Sequence, residues 1–303
     1  MKLSDLDQSE LSGRLKRGGL GFQAGRFSIQ LKSSVPSIFR GLLELYGDYP
    51  LTTSPFTDFH VSVARAKGAR RWYRPQAVFG FNGAFPFAPL PLEHAFPLME
   101  WGLNWCVTNH CHQYLVVHAA VVEKSGRALI LPGLPGSGKS TLCAALTGTG
   151  GWRLLSDELT MIDPVSKAII PNPRPISLKN DSISLIQRFA PDGIVSDPVR
   201  DTIKGTVAHV RPPASSVDQI SKPAPPSLVV FPKYDPTATS ELRPLAKGRA
   251  FLRLTDQSFN YSILGKTGFQ TIAATLDASD CYEYFYDGDL RHAVTLFDSL
   301  VDP

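Results

Sequence analysis

The chain reads as an α/β protein: a P-loop core on a mixed sheet, with a small α+β region ahead of it. Three observations carry this reading. Two nearly all-apolar runs, "YLVVHAAVVE" and "RALILPG", flank a turn-forming "KSG", the pattern of strands at the buried centre of a sheet. A glycine-rich loop, "GLPGSGKST", then stands between the second run and a helical stretch. Ahead of both, short alternating runs mix with helical spacing. The division expected is 1–110 for the N-terminal α+β region and 111–303 for the catalytic domain.

In the first region, "RFSIQLK" and "FHVSVARA" alternate like half-buried strands, and "VPSIFRGLLELYG" has helical spacing and a glycine stop. "RRWYRPQAVFGFNG" reads as strand and turn. Residues 91–110 predict a helix with Leu92, Phe96, Met99, Leu103 and Cys106 on one face. The second region opens with the two apolar strands. If their turn lies at Lys124 and Ser125, His118 stands across from Leu131. After the loop and a helix from 139 to about 148 come strands "GWRLLS" and "LTMID", the segment "PNPRPISLKN" and the helix "DSISLIQRFA". "DTIKGTVAHVRPPASSVDQISKPAPPS", rich in proline and polar residues, reads as a long loop, and its part 211–226 predicts either a flap over the site or a semi-rigid spacer. "LVVFPKY" is a strand, "ELRPLAKGRAFLRLTDQSFNYSILGKTGFQTIAATLDAS" reads as mainly helical, and a last amphipathic helix follows "DCYEYFYDG". No internal repeat is visible.

With 303 residues, 43% hydrophobic, 19% charged and a net charge of +4, the chain has a globular composition and no block of like charge. Nucleic-acid binding is not indicated. The four cysteines are too scattered for a disulfide framework, which points to a reducing, cytoplasmic setting. No apolar signal segment opens the chain, and the best membrane candidate is broken by Glu93, His94, Pro97 and Glu100, so no membrane span is expected. A homo-oligomer is compatible with these features. "CVTNHCHQY" holds Cys106, His110, Cys111 and His112, but at spacings that match no standard zinc site.

The loop carries the chemistry. Gly133, Leu134, Pro135, Gly136, Ser137, Gly138, Lys139, Ser140 and Thr141 fit the pattern G-x-x-x-x-G-K-[ST] between a strand and a helix. Glycines let backbone N–H groups turn inward, and a helix N-terminus adds partial positive charge, so the loop is suited to the phosphates of ATP. Lys139 is expected at the β and γ phosphates, and Ser140 on Mg2+. The loop leaves open whether the γ phosphate goes to water or to an acceptor.

Asp157 and Glu158 follow "GWRLLS". If that strand runs parallel to the one before the loop, both acids lie on the edge of the sheet that carries the loop. A carboxylate there can ligate metal or take a proton from an attacking hydroxyl. His118 is expected close by, either as a core histidine or as a partner of Asp157.

"HAAVV", "GLPGSGKSTL" and "GWRLLSDELTMID", in this order and spacing, resemble the HPr kinase/phosphorylase superfamily, whose catalytic domain is similar to that of ATP-dependent phosphoenolpyruvate carboxykinases. The motifs "RPISLKN", "DTIKGTVAHVRPP" and "FNYSILG" make the chain look like the branch called HprK-related kinase A. The superfamily likeness spans residues 114–185, and the branch likeness most of the chain. The resemblance implies Asp157 as catalytic base with His118 beside it. HPr kinases usually carry a glutamate after the loop serine, where this chain has Thr141, and the N-terminal region does not look like theirs.

Arg174, Lys179, Lys204, His209 and Arg211 sit in the two branch motifs and are the candidate substrate-binding residues, because a kinase needs cations around the transferring group. Lys204 leads them, since Gly205 permits close backbone approach. The expectation is an ATP-dependent kinase acting on a hydroxyl, a serine of a protein or peptide. Asp157, His118 and Lys139 would be catalytic, and Ser140, Asp157 and Glu158 the metal ligands. A small-molecule kinase and a nucleotide-gated binding protein with little turnover are the alternatives.

Overall fold

The computed structural model describes residues 1–54, 56–68 and 73–301. Its N-terminal part holds α1 (Gln8–Lys16), β1 (Leu20–Ala24), β2 (Phe27–Ser33), α2 (Pro36–Leu45), β3 (Phe59–Arg65), β4 (Gln76–Phe81), β5 (Leu90–Pro91) and α3 (Ala95–His110). The strands form one sheet in the order β1-β2-β3-β4-β5. Only β2 and β3 are parallel, because α2 crosses between them, and their residues alternate buried and open as the sequence pattern predicts. Pro36 starts α2, which buries Ile38, Leu42 and Leu45. Part of "RRWYRPQAVFGFNG", residues 70–72, lies outside the described residues. In α3, Phe96, Met99, Leu103 and Cys106 are buried as predicted, but so are Leu98, Glu100, Gly102 and Val107, while Leu92 precedes the helix and is half-buried. A helix buried on more than one face packs between two layers.

The rest comprises β6 (Leu115–Val117), β7 (Ala119–Lys124), β8 (Arg127–Pro132), α4 (Lys139–Thr149), β9 (Arg153–Ser156), β10 (Thr160–Ile162), β11 (Ile169–Ile170), β12 (Ile176–Lys179), α5 (Asp181–Phe189), β13 (Val199–Thr202), β14 (Gly205–Val210), α6 (Ala214–Asp218), β15 (Pro226–Tyr234), β16 (Glu241–Pro244), α7 (Lys247–Asp256), α8 (Tyr261–Leu264), α9 (Lys266–Asp277), β17 (Asp280–Tyr286) and α10 (Leu290–Val301). The largest sheet is mixed, in the order β16-β17-β15-β8-β7-β9. β15 is parallel to both β8 and β17, and β7 is antiparallel to both β8 and β9. β8 and β9 therefore run the same way with β7 between them, and their C-terminal ends share one edge.

Four expectations need correction. "YLVVHAAVVE" is not one strand: it breaks at His118, so that β6 joins a second sheet with β10 and β11. The hairpin turns at Ser125 and Gly126, both at positive φ, and pairs Ala120 with Leu131, so His118 lies just beyond the last pair, Ala119 with Pro132. The branch motif 201–213 is not a loop, since β13 and β14 form a hairpin that adds β12 to make a third sheet. The helical C-terminal stretch begins with a strand, β16.

The segment 211–226 is a spacer held in place, not a flap. The Ser216 hydroxyl accepts the Leu154 N–H at 2.9 Å, and the Arg153 guanidinium donates to the Lys222 carbonyl at 2.8 Å. Both contacts fasten it along the edge strand β9. One hydrophobic core runs from the N-terminal sheet through α3 to Val116, Leu159, Met161 and Ile170. The other faces of β6, β10 and β11, with Leu115, Val117 and Ile162, belong to a different core shared with α7 and α9. The small sheet thus joins the two parts of the chain, and residue 110 does not divide their packing.

Candidate functional site

The glycine-rich loop leaves β8 at Pro132 and enters α4 at Lys139. Gly136 and Gly138 hold φ of +86° and +91°, which other residues adopt only with strain. Gly138 has a second constraint: a Cβ there would lie 1.7 Å from the Tyr286 hydroxyl oxygen. Gly138 also caps α4, whose first-turn N–H groups have no partner within the helix and carry partial positive charge. Lys139 is 6% exposed and makes no ion pair within 4.0 Å among the described residues. Burial holds its ammonium below the usual lysine range, against the pull of Asp157 and Glu158.

Asp157 directly follows β9. Its Oδ1 accepts the Ser140 hydroxyl at 2.9 Å and its Oδ2 accepts the Ser177 N–H at 3.0 Å. Burial raises its pKa to about 6, with the negative charge of Glu158 adding to the rise and the Ser177 N–H, Lys139 and Ser140 opposing it. Glu158 has φ +66°, so the chain turns sharply and the two neighbouring carboxylates diverge. Glu158 Oε2 accepts Asn104 Nδ2 at 2.6 Å, and Oε1 lies 3.6 Å from Lys204 Nζ and 4.0 Å from Lys179 Nζ. Burial disfavours the ionised form, yet Lys204 and Lys179 hold the carboxyl below its ordinary value.

Sequence reasoning missed the groups that α3 brings to this acid pair. A buried chain of polar groups starts at the Tyr46 hydroxyl, which donates to Glu100 Oε1 at 2.6 Å. Glu100 Oε2 lies 3.8 Å from Arg174 Nη1, Arg174 Nη2 donates to Asn104 Oδ1, and Asn104 completes the path to Glu158. Trp101, one turn before Asn104, lies under Lys204, with Nζ 5.2 Å from the ring centroid. A cue existed in the sequence: Glu100 and Asn104 are polar and four residues apart in a helix otherwise rich in apolar residues.

A cavity of about 10 Å³, room for one water-sized group, lies between α3 and the acids. Trp101, Arg174, Ser177 and His209 line it, and each carries a buried side-chain nitrogen or oxygen without a hydrogen-bond partner. A second cavity of about 540 Å³ opens beside Lys139, Ser140 and Lys179 and extends to α5 and Tyr234. Ser177 borders both.

Most of the predicted residues therefore converge. Arg174, Lys179, Lys204 and His209 surround the acid pair, and Gly205 is needed as expected, since a Cβ there would meet the Asn180 side chain at 2.5 Å. Arg211 does not join them. Its guanidinium donates to Asp48 Oδ2 at 2.5 Å and 3.0 Å, which fastens the N-terminal part. Of the three predicted metal ligands, Ser140 and Asp157 are in contact, while Glu158 faces α3 and the lysines. His118, at the break between β6 and β7, gives its N–H to the Gln257 carbonyl at 2.7 Å, and its ring lies 5.9 Å from that of Phe259. Burial, then Lys139, lowers its pKa to about 4, so it is neutral at pH 7; no hydrogen bond joins its ring to Asp157 among the described residues.

Among the described residues no group of three or more His, Cys, Asp or Glu could hold a metal ion unaided, Cys106 and Cys111 being free and buried. No helix among them is long and apolar enough to cross a membrane. No protein-family model matches the chain, and no curated protein matches it.

Proposed function

We propose that this chain is an ATP-dependent kinase that transfers the γ phosphate to a hydroxyl, with a serine of a protein or peptide as the acceptor its resemblance to HPr kinases implies. One observation carries the proposal. The hydroxyl of the residue after the loop lysine, Ser140, is hydrogen-bonded at 2.9 Å to a buried carboxylate whose affinity for a proton is raised. A loop serving only as a turn needs neither the buried Lys139 nor that contact.

The loop residues fit a chain of phosphates. Gly136 and Gly138 have left-handed conformations, the first turn of α4 offers N–H groups, and Lys139 is a desolvated cation. Lys139 would pair with the β and γ phosphates and stabilise the charge that spreads over the moving group. Ser140, with Asp157 beside it, would hold Mg2+, which neutralises phosphate charge when bound. Among the described residues no group of three or more His, Cys, Asp or Glu could hold the ion, so phosphate oxygens would complete the site.

Asp157 would take the proton of the acceptor hydroxyl. The acceptor oxygen forms its bond to phosphorus, the bond to the bridging oxygen breaks, and that electron pair leaves on ADP. With a pKa of about 6, Asp157 is largely ionised at pH 7 and a stronger base than an ordinary aspartate. Glu158, held by Asn104 and the lysines, keeps this pKa raised rather than taking the proton itself. Lys179 and Lys204 would face the incoming acceptor, and Arg211 drops out of that set.

A small-molecule kinase is the second reading, favoured by the enclosure of the acids. Asp157 is 8% exposed and Lys204 packs on Trp101, whereas an extended peptide needs an open groove. The test is incubation with γ-labelled ATP and mixtures of peptides, proteins and metabolites, followed by mass spectrometry. A labelled peptide or protein supports the first reading and a labelled metabolite the second. Bound ATP that loses no label would leave a nucleotide-gated binding protein.

A further inference from the structure

A glycine-rich loop grips phosphates and by itself does not distinguish a nucleotide from inorganic polyphosphate. The cavity of about 540 Å³ beside it supplies what the loop lacks. It begins at Gly136, Lys139 and Thr141 and runs outward between α5 and the C-terminal ends of β15 and β17. Its volume is in the range of pockets that hold drug-sized molecules. We infer that this cavity seats the base and ribose of a nucleoside polyphosphate, with Tyr234 and Arg188 flanking the base. The inference rests on the proposed function, because it takes the phosphates to lie on the loop.

The wall at the strand ends is aromatic. Tyr234, the last residue of β15, keeps 48% of its surface exposed. Its ring lies 5.4 Å from that of Tyr286, and Gly288, at φ +104°, passes so close that a Cβ would stand 3.3 Å from the Tyr234 ring. Tyr286 in turn presses its hydroxyl against Gly138 of the loop. The exposed ring is thus joined to the phosphate seat through one buried residue, which fixes the distance between the two.

The wall on α5 is different in kind. Ile183 and Ile186 point into the core, whereas Leu185 and Arg188 line the cavity. Arg188 is exposed and enters no ion pair within 4.0 Å among the described residues. A tyrosine ring and a free guanidinium beside one cavity suit a flat π-system, because bases stack on both kinds of group. Asn180, also on the lining, accepts the Thr206 N–H on its Oδ1 and has its side-chain N–H groups to offer to sugar hydroxyls.

Calorimetry with ADP and with pyrophosphate, both in excess Mg2+, tests this on the full chain, its Tyr234→Ala variant and its Arg188→Ala variant. Wild type is expected to bind ADP at least tenfold more tightly than pyrophosphate. Tyr234→Ala should lose about tenfold for ADP and stay within twofold for pyrophosphate, since base stacking is worth roughly that much. Arg188→Ala should show the same selective loss, smaller in size. Equal affinities for the two ligands in wild type, an ADP affinity untouched in both variants, or equal losses for both ligands would overturn the inference. Wild type that binds neither ligand would instead remove the proposed function beneath it.

Discussion

The two sides of the site are built in different ways. The side around Lys139 is local: loop, cap and first helical turn come from nine consecutive residues, 133–141, with Tyr286 and Pro232 brought against the loop from far along the chain. The side around Glu158 is assembled from three distant segments: Asn104 on α3, the stretch through β12 with Arg174 ahead of it and Lys179 at its end, and Lys204 at the tip of the β13–β14 hairpin. Phosphate recognition needs only backbone N–H groups and one cation, which a short segment supplies. Setting two adjacent buried carboxylates to different proton affinities needs opposing environments for each, and no short segment can provide both.

The largest effect should follow from breaking the local side. Lys139→Ala removes the ammonium buried at the loop, and ATP binding or phosphoryl transfer should fall by about 10²-fold or more. Calorimetry and turnover that both match wild type would show that the loop does not hold phosphate. The assembled side should respond more weakly, because its members share the work. Asn104→Ala removes a hydrogen bond to a charged acceptor and leaves Arg174 short of a partner, so transfer should fall by about tenfold with nucleotide affinity unchanged. A loss of ADP affinity of the same size would mean that α3 supports the nucleotide side as well.

Lys204→Ala should raise the acceptor's KM and leave ATP affinity within about threefold, since Lys204 faces Glu158 and Trp101 rather than the loop. Equal losses for ATP and acceptor would place this lysine in the nucleotide site. The smallest change is a shift along the pH axis. Asp157 must be ionised to act, so activity should decline as pH falls through about 6. The charge of Glu158 helps raise that value, so Glu158→Gln should move the acidic limb to lower pH, and a pH–rate profile reads the shift. A limb that moves upward would contradict the assignment of Asp157 as the group that titrates.

This contrast also marks what the sequence could reveal. Gly138, Lys139 and Ser140 were legible because their meaning lies in fixed spacing along one loop, and Asp157 because strand direction puts it on the loop's edge. The mixed α/β architecture and most elements were legible from alternation and helical spacing. Asn104 and Trp101 were not, because they lie in a helix that reads as core and gain their partners only when the fold brings Glu158, Arg174 and Lys204 up to α3. Arg211 was misread for the converse reason: its place in a motif says nothing of Asp48, which lies 163 positions away and binds it. The break at His118 was hidden because a strand that changes sheets keeps its apolar pattern across the change.

The central claim is that Asp157 is the base for phosphoryl transfer and that the Ser140 contact puts it there. Single-turnover transfer from γ-labelled ATP, measured for wild type and Asp157→Asn with MgADP affinity determined in parallel, tests it most directly. The account predicts nucleotide affinity within a few-fold of wild type and transfer slowed by about 10² or more, because asparagine keeps the shape and loses the basicity. Full-rate transfer in Asp157→Asn, with nucleotide bound as in wild type, would contradict it.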